Sequence, residues 1–116
     1  MPNRNKEKGS RFERQLVDIA KAHNLEAYRV PLSGAGSIKN DVHIKIGREV
    51  WEIEAKKRAN GFAFIYQNIE GADALVIGAD RKKPLAVIDY EDFLNLLAGK
   101  LWNLQHEWQL KNSKRI

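Results

Sequence analysis

The clearest pattern of hydrophobic and polar positions lies in residues 41–57, where apolar residues alternate with polar ones in two short runs. Alternation with a period of two is typical of half-buried strands. Gly47 and Arg48 separate the runs, and a glycine readily takes the positive φ that a type II′ turn requires at its first central position. The segment is therefore predicted to form a β-hairpin in which Ile44 pairs with Trp51.

The predicted register places Asp41 opposite Glu54, with Lys56 further along the same face. Opposed Cβ atoms lie about 4.5–5.5 Å apart, and like charges at that distance are destabilising. A shared cation would offset the repulsion, and oxygen ligands suit Mg²⁺ or Mn²⁺. Such a metal would orient water, and a lysine would stabilise charge on a phosphodiester in the transition state. His43 faces Glu52, which favours an electrostatic pair over a metal-ligand role.

The N-terminal region is predicted to contain a mobile basic arm, residues 1–8, followed by a helix from Ser10 to His23. The helix follows from apolar residues at spacings of three and four. Ser10 and Glu13 match a capping box, which gives Glu13 a structural role at the start of the helix. A first-turn glutamate also points out of a helix end, so Glu13 is in addition a candidate fourth member of the charged site.

The rest of the chain alternates between strand and helix patterns. The predicted elements are a strand at residues 27–30, the hairpin, a helix at residues 64–70, short buried strands at residues 74–78 and 85–89, and a final helix at residues 90–110. The apolar residues of the middle helix also alternate as in a strand, but a helix is favoured. Asp89 is the predicted cap of the last helix, and residues 111–116 are expected to fray. This order predicts a single α/β domain, residues 1–116, with a central mixed sheet of about five strands flanked by helices.

Composition narrows the possible functions. The chain contains no cysteine, which excludes disulfides and thiolate metal sites. No run approaches the roughly 18 apolar residues that span a membrane, so no membrane partner is expected. The lack of cysteine fits an intracellular, cytoplasmic protein. The net charge of +5 indicates a polyanionic partner such as nucleic acid. The basic residues cluster in residues 4–14, 56–58 and 81–83.

Two sets of residues resemble known nucleases. Asp41, followed by Glu54, Ala55 and Lys56 on the next strand, resembles the D…E-x-K signature of the PD-(D/E)xK nuclease superfamily. The wider pattern of KGSRFERQLV at residues 8–17, RVPLSG at residues 29–34 and then the hairpin closely resembles archaeal-type Holliday junction resolvases (Hjc-like). The resemblance covers roughly residues 8–89 in order.

The resemblance implies a restriction-endonuclease-like fold and a homodimer that acts on four-way DNA junctions with Mg²⁺, for which Mn²⁺ can substitute. The implied nuclease centre consists of Glu13, Asp41, Glu54 and Lys56, with the three carboxylates as metal ligands. Ser33 would assist catalysis from a loop, and Gln67 would support the site from the middle helix. Arg14 and Arg29 would contact DNA, joined by the basic residues Lys8, Arg11, Lys57 and Arg58.

The leading functional hypothesis is a metal-dependent, structure-selective DNA endonuclease that resolves four-way junctions by paired symmetric nicks. One alternative within the same fold is a nuclease for other DNA, such as a nicking or restriction-type enzyme. Another is a non-catalytic nucleic-acid-binding domain of the same fold, but a pure binder has no reason to oppose Asp41 and Glu54. A small scaffold with a basic face is the remaining alternative.

Overall fold

The computed structural model describes residues 4–30 and 41–113 of the chain. The elements in order are α1 (Arg4–Ala22), β1 (Glu26–Arg29), β2 (Val42–Ile46), β3 (Glu49–Ile53), α2 (Ala63–Ile69), β4 (Ala74–Ile77), β5 (Leu85–Ile88) and α3 (Tyr90–Ser113). This order of helices and strands is the predicted one, and α2 forms where a strand was the alternative.

The start of α1 differs from the prediction. The helix begins before Ser10, so Ser10 is not its N-cap and the capping box with Glu13 is wrong. Residues 4–8 are likewise helical rather than a mobile arm, whereas residues 1–3 lie outside the described part of the chain. Arg, Lys and Glu are good helix formers, and they carry the helix through Gly9 although glycine costs about 1 kcal/mol relative to alanine. The side chains of Ser10 and Glu13 therefore project from the body of a helix.

The end of α1 is set by Asn24, directly after His23, at which the helix was predicted to end. Asn24 takes a left-handed conformation with φ of 63°. Its N–H donates to the carbonyl of Lys21 at 3.0 Å, and the N–H of Leu25 donates to the carbonyl of Ala20 at 3.1 Å. This pair of bonds is a Schellman motif, which satisfies carbonyls that a helix end leaves without partners. The buried Leu25 then leads the chain into β1.

The first sheet has the order β1-β2-β3, and both pairings are antiparallel. Ile44 pairs with Trp51 and His43 with Glu52, so the predicted hairpin register is confirmed. Of the two turn residues only Gly47 takes a positive φ, 64°, as expected of the glycine in a type II′ turn. A slip of one residue would have moved every side chain to the opposite face.

The core lies between one face of this sheet and the helices α1 and α3. The alternate β2 residues Val42, Ile44 and Ile46 are fully buried, with exposed fractions of 0%. The other buried apolar residues are Leu16, Val17, Ala20, Leu25, Ala27, Leu94 and Leu97. The hydroxyl of Tyr90 donates to the carbonyl of Leu16 at 2.8 Å and so joins α3 to α1. The hairpin is therefore anchored on a packed helical layer.

The prediction of one mixed sheet of about five strands is wrong. β4 and β5 pair antiparallel with each other in a separate two-stranded sheet that packs against α2. Both strands are short apolar runs, and we predicted them to be buried, but Val76 is 66% and Leu85 63% exposed. A short apolar run indicates a strand but does not indicate its pairing partner. The short connection between β4 and β5, residues 78–84, allows the two strands to pair antiparallel with each other.

The last helix is capped as predicted and is longer than predicted. Asp89 Oδ1 accepts hydrogen bonds from the backbone N–H groups of Glu91 at 2.9 Å and Asp92 at 3.1 Å. Residues 111–113 continue α3 rather than fraying, and residues 114–116 lie outside the described range. Among the described helices, none is long and apolar enough to cross a membrane.

Candidate functional site

Backbone hydrogen bonds bring the segments that carry the predicted site to one end of the three-stranded sheet. The N–H of Val30, just after β1, donates to the carbonyl of Asp41 at 3.1 Å. The N–H of Asp41 in turn donates to the carbonyl of Ile53, the last residue of β3, at 2.9 Å. Arg29, Asp41 and the segment that begins at Glu54 therefore meet at the same end of the sheet.

Asp41 is held by the segment that follows β3. The last pair of the β2–β3 ladder is Val42 with Ile53, so Asp41 and Glu54 lie one pair beyond its end. Asp41 Oδ2 accepts a hydrogen bond from the backbone N–H of Ala55 at 2.9 Å. This bond to a half-buried carboxylate continues the hairpin contact after regular pairing has ended and fixes one oxygen of Asp41.

Glu54 and Lys56 extend from the same segment toward solvent. Lys56 Nζ lies 3.6 Å from Glu54 Oε1, and both side chains are well exposed. Lys56 also lines a cleft that α2, β5 and the first turn of α3 enclose, with a volume of about 610 Å³. Gln67 lies on α2 and is exposed. The cleft thus has the lysine of the D…E-x-K pattern at its edge.

Glu13 forms its contacts with Arg29 across the helix–sheet boundary. Arg29 Nε donates to Glu13 Oε1 at 3.1 Å, and Arg29 Nη2 lies 3.1 Å from the same oxygen. Arg29 Nη2 also donates to Ser10 Oγ at 3.2 Å. The side chains of Glu13 and Arg29 are only 17% and 31% exposed, so solvent screens this ion pair less than it screens a surface pair. Arg29, which is predicted to contact DNA, therefore also forms an ion pair with Glu13 inside the protein.

The segment after β3 contacts α1 as well. Lys57 Nζ lies 5.6 Å from the centroid of the Phe12 ring, a cation–π geometry. Phe12 precedes Glu13, so this contact brings the Glu54–Lys57 side of the site toward the helix that carries Glu13. Within the described part of the chain, the following predicted DNA contacts form no ion pair: Lys8, Arg11, Arg14, Lys57 and Arg58.

The chemistry of the donors fits a hard divalent cation, since Glu13, Asp41 and Glu54 offer only carboxylate oxygens. One oxygen of each is already engaged, by Arg29, the Ala55 N–H and Lys56 respectively. Across residues 4–30 and 41–113, no group of three His, Cys, Asp or Glu side chains is arranged to hold a metal ion. The predicted ligands are thus near one end of the sheet but are not assembled. Ser33 lies outside the described residues.

The pairing predicted for His43 is present, on the face of the sheet that points away from the core. His43 Nε2 lies 3.7 Å from Glu52 Oε1, and His43 Nδ1 lies 3.3 Å from the hydroxyl of Tyr28. Sequence reasoning missed two contacts of the site, the bond from Arg29 to Ser10 and the bond from Ala55 to Asp41. A helix that began earlier would have placed Ser10 and Glu13, three residues apart, on one helix face, but nothing in the sequence identified Arg29 as their shared partner.

Three carboxylates and Lys56 thus lie toward one end of an antiparallel sheet on an α/β scaffold, beside basic side chains that form no ion pair with any described residue. The family model of the archaeal Holliday junction resolvase (Hjc) matches residues 4–96. The chain therefore belongs to this family, whose members are junction-resolving nucleases, and the resemblance found in its sequence is confirmed. No curated protein and no solved structure matches the chain.

Proposed function

We propose that the protein is a metal-dependent endonuclease that resolves four-way DNA junctions by paired symmetric nicks. The observation that carries this proposal is the meeting of Arg29, Asp41 and the Glu54–Lys56 segment at one end of the sheet in a chain of the resolvase family. A junction has two symmetry-related strands to cut, and a homodimer supplies two sites related by the same symmetry. We therefore propose that two copies of the chain act together.

Each proposed site residue has a role that its chemistry supports. Glu13, Asp41 and Glu54 would hold Mg²⁺, or Mn²⁺ in its place, which when bound lowers the pKa of water and neutralises phosphate charge. Lys56 would hold the attacking water and stabilise charge on the phosphate. Ser33 would assist from the preceding loop, and Gln67 would support the site from α2. To bind the metal, each carboxylate must use its second oxygen or exchange its present partner for the metal.

The proposed DNA surface consists of the basic residues around the site. Arg11, Arg14, Lys57 and Arg58 are exposed and Lys8 is half-buried. Contacts to phosphates position a protein on DNA without reading its sequence, which suits recognition of branched shape. A nuclease for other DNA remains the second candidate, because all of these contacts would also serve a linear duplex.

The test compares an immobile four-way junction with a linear duplex of the same arms, each incubated with the protein and Mg²⁺. We expect paired symmetric nicks in the junction and an uncut duplex. Cutting of both substrates would instead identify a general nuclease of this fold. Binding of the junction without cutting would identify a non-catalytic binding domain.

Arg14 provides a test of the proposed DNA surface. Arg14→Ala is expected to weaken junction binding and to flatten the dependence of log K on log salt by about one unit, since one phosphate contact is lost. The measurement is a series of binding titrations at increasing salt. Arg48→Ala is the matched control, because Arg48 is an exposed arginine in the hairpin turn at the other end of the sheet. An unchanged slope with a lowered melting temperature would make Arg14 a structural residue.

A further inference from the structure

Ser10 was predicted to cap the first helix, but it lies inside that helix instead. It lies within α1, half-buried, and its Oγ accepts a hydrogen bond from Arg29 Nη2 at 3.2 Å. The same guanidinium donates from Nε to Glu13 Oε1 at 3.1 Å. Two side chains on one face of a helix thus hold one arginine of the neighbouring strand.

The two anchors together define the orientation of the Arg29 guanidinium. Both contacts to Glu13 go to a single oxygen, Oε1, and a contact to one oxygen leaves the planar group able to turn about that point. The bond to Ser10 is a second fixed point, so the plane of the guanidinium is set. A guanidinium has five N–H donors, and those of Nη1 form no hydrogen bond with any described residue.

We propose that Ser10 is a positioning residue that, with Glu13, orients Arg29 so that its Nη1 amino group is presented to a phosphate of the DNA backbone. This inference rests on the proposed function, in which Arg29 contacts DNA. Arg29 is partly exposed and lies at the end of the sheet where Asp41 meets the segment that begins at Glu54, so a phosphate bound there is close to these carboxylates. Fixing a donor before binding lowers the entropic cost of the contact.

The test is a double-mutant cycle between Ser10 and Arg29, measured as junction affinity in metal-free buffer. Ser10→Ala is expected to weaken binding about three- to tenfold, the range for one lost hydrogen bond. Its melting temperature should be unchanged or higher, because alanine is the better helix former. In an Arg29→Ala background the same substitution should cause no further loss of affinity. Ser10→Thr, which keeps the hydroxyl, should restore most of the binding.

The outcomes separate the positioning role from the proposed function. Normal binding by Ser10→Ala, or an equal loss in the Arg29→Ala background, would overturn the positioning role while junction binding by the wild type stands. Failure of Ser10→Thr to restore binding would also overturn the positioning role. It would show that the loss in Ser10→Ala comes from the shape of the site rather than from the missing hydroxyl. A wild-type protein that binds no junction would overturn the proposed function itself, and the phosphate contact of Arg29 with it.

Discussion

Asp41→Asn is expected to bind four-way junctions about as well as the wild type in metal-free buffer and to cleave them at least about a hundredfold more slowly in Mg²⁺. The expected loss is comparable to the roughly 10²–10³ lost with a single electrostatic stabiliser in other enzymes. Asparagine keeps the volume of the side chain and an oxygen that can accept the N–H of Ala55, now bonded to Asp41 Oδ2 at 2.9 Å. The substitution therefore removes a negative charge while the contact that joins the two segments is retained.

The measurement combines a junction-cutting assay with melting curves recorded with and without Mg²⁺. Without metal, the melting temperature of Asp41→Asn should match or exceed that of the wild type, because repulsion from Glu54 is reduced. The stabilisation by Mg²⁺ should shrink. Glu26→Gln is the matched control, since Glu26 pairs with Lys45 at the opposite end of the same sheet. Near-normal cutting by Asp41→Asn would remove the carboxylate pair from the mechanism and, with it, the proposed metal site.

The hairpin could be predicted because all the forces that define it are local. The period of two assigns a face to each residue, and Gly47 sets the turn, so the register from Ile46 to Val42 follows without knowledge of the rest of the fold. The pairing of His43 with Glu52 follows from the same register. The cap of the last helix was also predictable, since Asp89 and the first turn that it caps are adjacent in sequence.

Errors arose where a local signal had more than one structural meaning. Ser10 and Glu13 satisfy the spacing of a capping box, but the same spacing of three residues places two side chains on one face of a continuing helix. Their partner, Arg29, is distant in sequence, and only the packing of α1 against β1 brings it near. The capping box therefore located a pair of functional candidates and assigned them the wrong structural role.

The arrangement of the strands was less predictable than their existence. Whether β4 joins β3 or pairs with β5 depends on how α2 packs, and α2 contributes no fully buried residue that the sequence pattern could reveal. In the same way, the register predicts that Asp41 faces Glu54, but the paired residues end at Val42 and Ile53, and the register does not predict the bond from Ala55 to Asp41. It depends on the path of the chain after β3 has ended.

Lys56 separates catalysis from metal binding. Lys56→Ala is expected to reduce cleavage of the junction by about 10²–10³, the range for loss of one group that stabilises transition-state charge. An ammonium group is not a metal ligand, so the stabilisation by Mg²⁺ seen in melting curves should remain. Lys56 Nζ lies 3.6 Å from Glu54 Oε1 and the lysine side chain is 64% exposed, so loss of this pair should change stability little.

The matched control for Lys56→Ala is Lys45→Ala, which removes the same charge from the same hairpin. Lys45 is 46% exposed and lies 3.3 Å from Glu26, at the end of the sheet away from the site. If general attraction to DNA were the role of Lys56, both variants would bind the junction more weakly, and saturating protein would restore cutting by Lys56→Ala. If Lys56 acts on the water or the phosphate, Lys56→Ala alone should fail to cut even when the junction is fully bound. Cutting by bound Lys56→Ala at the wild-type rate would leave this lysine a DNA contact and require another residue to activate the water.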